Sequence, residues 1–235
     1  MRRSAIPTPG RPCVPRCLVG PLVAPFRDQV RLQAAVTALT RGYDGVGVRS
    51  RAGEEHFDAA VVAAHADDAL RLLGDASADE RAVLGAFAYQ DNLAILHTDA
   101  ALMPRRRKVW AAWNYHRLAD PGAAVPVTYN MNILQGLDAA TQFLVTLNRE
   151  QGIAPERILA RIPYRHPVFS TAAVAAQGRR AEINGARRTW FCGAYWGNGF
   201  HEDGVVSALA VARDFGLGLP AAEALVPHRQ VGGAA

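Results

Sequence analysis

The chain has 235 residues and 50% of them are hydrophobic, so it can bury the core of one large domain or of two intertwined small ones. Its formal charge of +5 does not indicate a nucleic-acid partner, because the basic residues are nearly all arginines and are scattered along the chain. Three cysteines are too few for a disulfide framework at this size, and the apolar run over residues 17–26 is too short for a membrane span. We expect a cytoplasmic protein.

The first 27 residues contain six prolines and no acidic residue, which predicts a disordered leader. The next segment alternates between β-like and helical patterns. The predicted elements are strands over 30–32 and 35–39, a hairpin over 43–48 that turns at Asp44-Gly45, another turn over 51–55, a strand buried on both faces over 57–64, and a helix over 65–73.

The middle of the chain contains mostly β-like runs with a few helical patches between them. The strands are predicted over 94–97, 109–115, 125–133, 143–147 and 158–162, and the helices over 79–86 and 171–177. A series of strands with interspersed helices favours an antiparallel sheet that carries helices against it.

The last third shows a strand, a glycine-rich turn and a helix in close succession. They are predicted over Thr189–Cys192, Gly193–Gly199 and Asp203–Phe215, with Asp203 as the cap of the helix. Glycines let a ligand approach the backbone, and the free amides of a first helical turn favour a group that is negative or becomes negative. A glycine-rich turn before an ordinary core helix explains the spacing equally well.

The segment from Trp190 to Gly204, WFCGAYWGNGFHEDG, resembles the C-terminal signature of a bacterial family of NAD/FAD-binding proteins related to amine oxidases and phytoene desaturases. Further motifs match that family in the same order, so that the resemblance covers roughly residues 22–217. These motifs are FDAAVVAAH from Phe57, LHTD from Leu96, MPRRR from Met103, WAAWNY from Trp110, YNMN from Tyr129 and YRHPVF from Tyr164.

The resemblance implies FAD as the cofactor and also indicates the residues that contact it. Val36 matches the position whose backbone binds the adenine in this group of flavoproteins. The closing motif matches the residues that contact the ribityl chain, the pyrophosphate and the flavin, which here are Gly193, Ala194, Tyr195, His201, Glu202, Asp203, Gly204 and Val205. Tyr195 and Trp196 are expected to wall a substrate cavity in front of the flavin.

Two departures from the family pattern concern the binding of FAD. Amine oxidases usually have an acidic residue at the position of Ala194, so the contact to the ribityl chain and pyrophosphate is changed or lost. A Rossmann-type domain also begins with a strand, G-x-G-x-x-G and a helix, and no segment of this sequence fits that pattern. The sequence therefore suggests a fragment, a mis-started reading frame, or one half of a split protein whose partner is a separate N-terminal half.

The fold class that follows is α/β, with an incomplete FAD-binding half and an inserted antiparallel substrate domain. The predicted ranges are 28–75 and 186–219 for the FAD-binding half, 76–185 for the substrate domain, and 220–235 for a flexible tail. The implied reaction is hydride transfer to flavin N5 from a C–H bond of an amine or a lipid acyl chain. The alternative is an inactive chain or a binding subunit. No catalytic residue or metal site is assigned; Lys108, the sole lysine, lies in an arginine run.

Overall fold

The structure is a computed structural model that describes residues 15–117 and 126–218. The predicted tail over 220–235 and the first part of the predicted leader, residues 1–14, lie outside the described residues. The helices are α1 (Pro15–Val23), α2 (Ala66–Leu72), α3 (Ala78–Leu84), α4 (Met131–Gln135), α5 (Thr171–Gln177), α6 (Arg180–Ile183) and α7 (His201–Asp214). The strands are β1 (Val36–Arg41), β2 (Val46–Ser50), β3 (Gly53–Phe57), β4 (Ala60–Val62), β5 (Ala88–His97), β6 (Trp113–Tyr115), β7 (Val127–Asn130), β8 (Leu144–Leu147), β9 (Ile158–Val168) and β10 (Thr189–Phe191).

The chain divides into two compact units. Of the described residues, one unit contains 32–89 and 167–218, and the other contains 15–31, 90–117 and 126–166. Residues 76–185 were expected to form the inserted domain, but helices α3, α5 and α6 from this range belong to the first unit, because Leu84, Ala173 and Ile183 are buried in its core. The assignment of one unit to FAD and the other to substrate stays a prediction.

The first unit contains an antiparallel sheet, β1-β2-β3, and a two-stranded parallel sheet in which β10 pairs with β4. The register of the parallel pair places Phe191 beside Val62. The core is formed by fully buried side chains from several elements, among them Leu84, Phe87 and Phe191. The predicted hairpin at Asp44-Gly45 is confirmed, with the Gly42 amide donating to the Gly45 carbonyl.

The second unit is built on a five-stranded sheet in the order β6-β7-β8-β5-β9. In this sheet, β5 pairs with β8, β6 with β7, and β7 with β8, and these three pairs are antiparallel. The α/β fold class and the antiparallel sheet predicted from the sequence are therefore confirmed. Among the residues that the structure describes, no helix is both long and apolar enough to cross a membrane.

Several local predictions differ from the structure. Residues 30–32 form no strand, and the turn predicted over 51–55 contains the start of β3. The β-like run 125–133 ends early because the Asn130 side chain accepts a hydrogen bond from the Ile133 amide and starts α4. Prolines did not prevent α1 in the predicted leader. Pro15 is its first residue, where an amide would have no partner in any case, but Pro21 lies inside the helix.

The strand predicted over 57–64 is also shorter and more exposed than expected. Only Ala60–Val62 form β4, and the side chain of Val61 is 48% exposed. An apolar run of this kind is typical of a parallel strand covered on both faces, but here Val62 is buried on one face while Val61, on the other face, is exposed. The expected burial on both faces is therefore wrong for the described residues.

Candidate functional site

The turn between β10 and α7 is tied to the helix through one serine. The Gly193 amide donates to the Ser207 hydroxyl oxygen over 2.9 Å, and that hydroxyl donates to the Gly204 carbonyl over 2.8 Å. Ser207 is buried, so these bonds are shielded from water. The strand end and the first turn of α7 are thus held together, which brings Gly193, Ala194 and Gly204 side by side.

A second clamp comes from Gln177 at the end of α5. Its side-chain amide donates to the carbonyls of Tyr195, over 3.0 Å, and Gly197, over 2.6 Å. Sequence analysis did not single out Gln177, because its two acceptors lie 18 and 20 residues further along the chain. Together with Ser207, it makes the turn a preorganised element rather than a loose loop.

Asp203 has a different place in the helix from the one expected. Helix α7 begins at His201 with Phe200 before it, so Asp203 is the third helical residue and not the N-cap. Its carboxylate reaches back and accepts from the amides of Asn198, over 3.0 Å, and Phe200, over 2.8 Å. The carboxylate occupies the space where a Cβ on Gly197 would lie, so Gly197 is needed for internal packing.

Gly204 has no such internal reason to be a glycine. A Cβ built on it would meet only the Ala194 amide nitrogen, at an ordinary contact distance of 3.9 Å. Glycine inside a helix destabilises it by roughly 0.5–1 kcal/mol relative to alanine, and here no packing contact within the chain compensates for that loss. Beside it, the amides of His201, Glu202 and Asp203 lie in the first turn and have no acceptor within the helix. The surface around Gly204 is therefore open to an external group.

Tyr195 and Trp196 pack into the core of their unit. The Tyr195 ring is 3% exposed and meets Phe87 edge-on at a centroid distance of 5.0 Å, and the Trp196 ring meets Phe87 edge-on at 5.4 Å. The Trp196 indole donates to the Phe191 carbonyl. The Tyr195 hydroxyl has no hydrogen-bond partner among the described residues, and burial raises the pKa of Tyr195, which keeps it neutral. A substrate cavity walled by Tyr195 and Trp196 stays a prediction.

Val36, the residue expected to contact adenine, is the first residue of β1 and does not line the same surface as the turn between β10 and α7. It lines a cavity of about 810 Å³ with residues from β4 and α2, and no residue of the 193–205 segment lines that cavity. The structure therefore groups Val36 with β4, while Gly193, Ala194 and the first turn of α7 form a second group. Contacts of either group with FAD stay predictions.

Comparison with known proteins identifies the fold. No protein-family model matches the sequence and no curated protein matches it. Solved structures do match. A CLA-producing fatty acid isomerase from P. acnes has 15% identity and a TM-score of 0.53, over 78% of this chain and 48% of that one. A putrescine oxidase with redesigned cofactor binding has 10% identity and a TM-score of 0.57, over 82% and 50%.

A cyclohexylamine oxidase from Brevibacterium oxydans has 13% identity and a TM-score of 0.53, over 83% of this chain and 51% of that one. The chain has the fold of amine-oxidase-like enzymes. The resemblance inferred from the sequence motifs is thus confirmed at the level of the fold. The chain spans about half the length of each of these structures.

Proposed function

We propose that this chain is the flavin-contacting part of a FAD-dependent oxidoreductase. The observation that supports it best is Gly204, a helical glycine for which the chain itself has no packing need. Its open side lies next to the first-turn amides of α7, where the positive end of the helix dipole favours negative charge. A flat ring that carries negative charge at one edge fits this combination of open backbone and free amides.

The residues present fit the flavin end of FAD. Free amides at His201, Glu202 and Asp203 would face the pyrimidine edge, and the backbone of Gly193 and Ala194 would lie along the ribityl chain. When bound, FAD supplies the acceptor for a hydride from a substrate C–H bond. The chain contributes position and electrostatics: Gln177 and Ser207 hold the turn in place before the cofactor arrives, so little ordering is needed on binding.

The nucleotide end of FAD has much less to bind to. Ala194 offers no carboxylate, and a G-x-G-x-x-G segment does not occur in the sequence. We therefore expect the chain by itself to retain FAD weakly, and a subunit that requires a separate nucleotide-binding half is the second candidate. A purified chain that keeps a stoichiometric flavin absorbance through gel filtration would contradict this expectation.

The cofactor assignment is tested by placing a side chain on the open face of Gly204. The chain is co-expressed with a dinucleotide-binding half from an amine oxidase, and flavin content and redox potential are measured. Gly204→Leu should strongly reduce flavin content, because the side chain would occupy the space proposed for the ring. Gly178→Leu is the matched control, since Gly178 ends α5 and a Cβ there meets only the Ala175 carbonyl oxygen at 3.6 Å.

If Gly204→Leu leaves both flavin content and redox potential unchanged, the turn is structural only and the cofactor assignment is wrong.

For the substrate we propose an amine or a lipid acyl chain, because the structural neighbours include two amine oxidases and a fatty acid isomerase. The two classes are distinguished by anaerobic bleaching of the reconstituted flavin, with a diamine and a long-chain fatty acid as probes.

A further inference from the structure

Four polar side chains form a line across the antiparallel sheet of the second unit. They are His97 at the end of β5, Thr146 on β8, Thr128 on β7 and His116, which follows β6. The two threonines are direct partners in the register of β7 and β8, and each histidine lies two positions beyond the strand partner of a threonine. Alternate residues of a strand point to the same face, and diagonal neighbours are within reach of a ring. The line therefore lies on one face of the sheet.

Hydrogen bonds join the line from end to end. His97 Nε2 lies 2.8 Å from Thr146 Oγ1, the two threonine hydroxyls lie 2.8 Å apart, and Thr128 Oγ1 lies 2.7 Å from His116 Nε2. His97, Thr128 and Thr146 are fully buried, whereas His116 is half-buried. Bonds that are shielded from water polarise one another, so a change at the half-buried end affects the buried end.

One backbone amide fixes the direction of these bonds. The Asp99 amide donates to His97 Nδ1 over 3.2 Å, so that nitrogen carries no proton. Burial lowers the pKa of His97 below its ordinary 6.5, so the ring is uncharged at neutral pH and its single proton lies on Nε2. His97 therefore donates to Thr146, which leaves the Thr146 hydroxyl to donate to Thr128 and the Thr128 hydroxyl to donate to His116 Nε2.

Protonation of His116 is incompatible with this direction. An imidazolium ring carries a proton on each nitrogen, so His116 Nε2 would donate to Thr128 instead of accepting from it. The two hydroxyls would then turn round, and Thr146 would donate to His97 Nε2. His97 can accept this bond only if its proton leaves Nε2 and a proton from solvent binds Nδ1, where the bond from the Asp99 amide is lost. The net gain is one proton, on His116.

Charged groups act on both ends of the line. At the buried end, the Asp99 carboxylate favours a positive His97 ring, and Arg157 acts on Asp99 in turn. At the other end, Arg149 opposes a positive charge on His116. The two neutral tautomers of His97 have the same net charge, so these charges select between them much less than the hydrogen bonds do.

We propose that this line is a polarised relay, in which protonation of His116 moves the proton of His97 from Nε2 to Nδ1. The buried end of the relay joins two loops, because the Asp99 carboxylate accepts from the Ala101 amide over 2.9 Å and from the Ala154 amide over 2.8 Å. Loss of the bond between the Asp99 amide and His97 thus loosens the segment after β5 at low pH. The relay is independent of the cofactor assignment, since its four side chains belong to the second unit.

The experiment follows the imidazole nitrogens of the full chain by NMR, with nitrogen-15-labelled histidine. His97→Phe and His116→Gln each remove one set of signals and so assign them. At neutral pH, His97 should carry its proton on Nε2. As the pH falls, the Nδ1-protonated tautomer of His97 should appear with the same midpoint as the titration of His116. A doubly protonated ring gives a third pattern of signals, so a charged His97 is recognised.

Two variants separate the relay from the charges. Thr146→Val removes the central hydroxyl but no charge, so the response of His97 should be lost. Thr189→Val is the matched control, because it removes a fully buried, hydrogen-bonded hydroxyl from the first unit, and it should keep the response. If Thr146→Val does not fold, His116→Gln tests the same point, since glutamine accepts the same bond and is not protonated. It should hold His97 in the Nε2-protonated form throughout.

A His97 ring that is protonated on Nδ1 at neutral pH would overturn the proposal, as would one that becomes doubly protonated without passing through the other neutral tautomer. A response that persists in Thr146→Val or in His116→Gln would show that His97 responds to pH by itself, and the relay would have to be abandoned. So would a response that is lost in Thr189→Val, since any buried hydroxyl would then have the same effect.

Discussion

The buried ion-pair network around Arg41 allows a sharp test of the fold. The Arg41 guanidinium is fully buried and donates to both carboxylate oxygens of Glu80, which is itself 1% exposed. It also donates to Asp75, whose side chain is 32% exposed. Ser77 adds a backbone amide to Glu80 over 2.7 Å. Leucine at position 41 would leave the Glu80 carboxylate buried with the Ser77 amide as its remaining donor.

Breaking a buried pair by removing one partner typically costs about 3–5 kcal/mol, because the other charge stays desolvated. Since small domains are stable by about 5–15 kcal/mol, Arg41→Leu should remove a large share of the free energy of unfolding. Urea denaturation followed by tryptophan fluorescence measures the loss. Arg161→Leu, which breaks the exposed pair with Glu150, is the matched control and should change little.

The pH dependence should also change in the variant. Burial opposes ionisation of Glu80, but hydrogen bonds from Arg41 and Ser77 outweigh it and hold the pKa of Glu80 below its ordinary 4.5. The native state then binds fewer protons than the unfolded state, so this contribution is complete above pH 4.5 and is lost as the pH falls further. In Arg41→Leu, burial dominates, the pKa of Glu80 rises, and acidification should instead stabilise the variant.

The reasoning would be refuted if the free energy of unfolding of Arg41→Leu lay within about 1 kcal/mol of that of the unsubstituted chain. A loss of that size is what breaking an exposed ion pair costs. The reasoning would also be refuted if the two proteins had the same acid dependence. Arg41→Met combined with Glu80→Leu should recover most of the lost free energy, because neither charge then remains buried.

Two further predictions concern buried histidine and glycine. Burial lowers the pKa of His97, whose ring nitrogen bonds to the Thr146 hydroxyl over 2.8 Å, so stability should fall as the pH drops below 6.5, and His97→Phe should weaken this dependence in thermal melts taken across that range. The remainder comes from His116, whose pKa burial also lowers. Gly197→Ala should lower the melting temperature because its Cβ would overlap Asp203, whereas Gly204→Ala should raise it by the equivalent of about 0.5–1 kcal/mol; equal shifts of the same sign would contradict the distinction drawn between the two glycines.

Sequence alone determined the features that depend on neighbouring residues. The strand, turn and helix from Thr189 to Asp214, the α5 helix and the hairpin at Asp44-Gly45 were all predictable, because their periodicity, caps and turn residues lie within a few positions of each other. The capping box that starts α3 is a contact of the same local kind, since Ser77 and Glu80 lie three positions apart. The order of the motifs predicted the fold.

Only the tertiary structure decided which residues far apart in the sequence contact each other. Gln177 holds the turn from another helix, and Arg41 meets Glu80 from 39 positions away, so neither contact has a local pattern. Val61 lies in an apolar run that predicts burial on both faces, yet its side chain is 48% exposed, because a face is buried only where another element packs against it. Whether a glycine is needed also depends on the packing around it. A Cβ on Gly197 would overlap the Asp203 side chain, whereas a Cβ on Gly204 would meet only the Ala194 amide nitrogen at a contact distance.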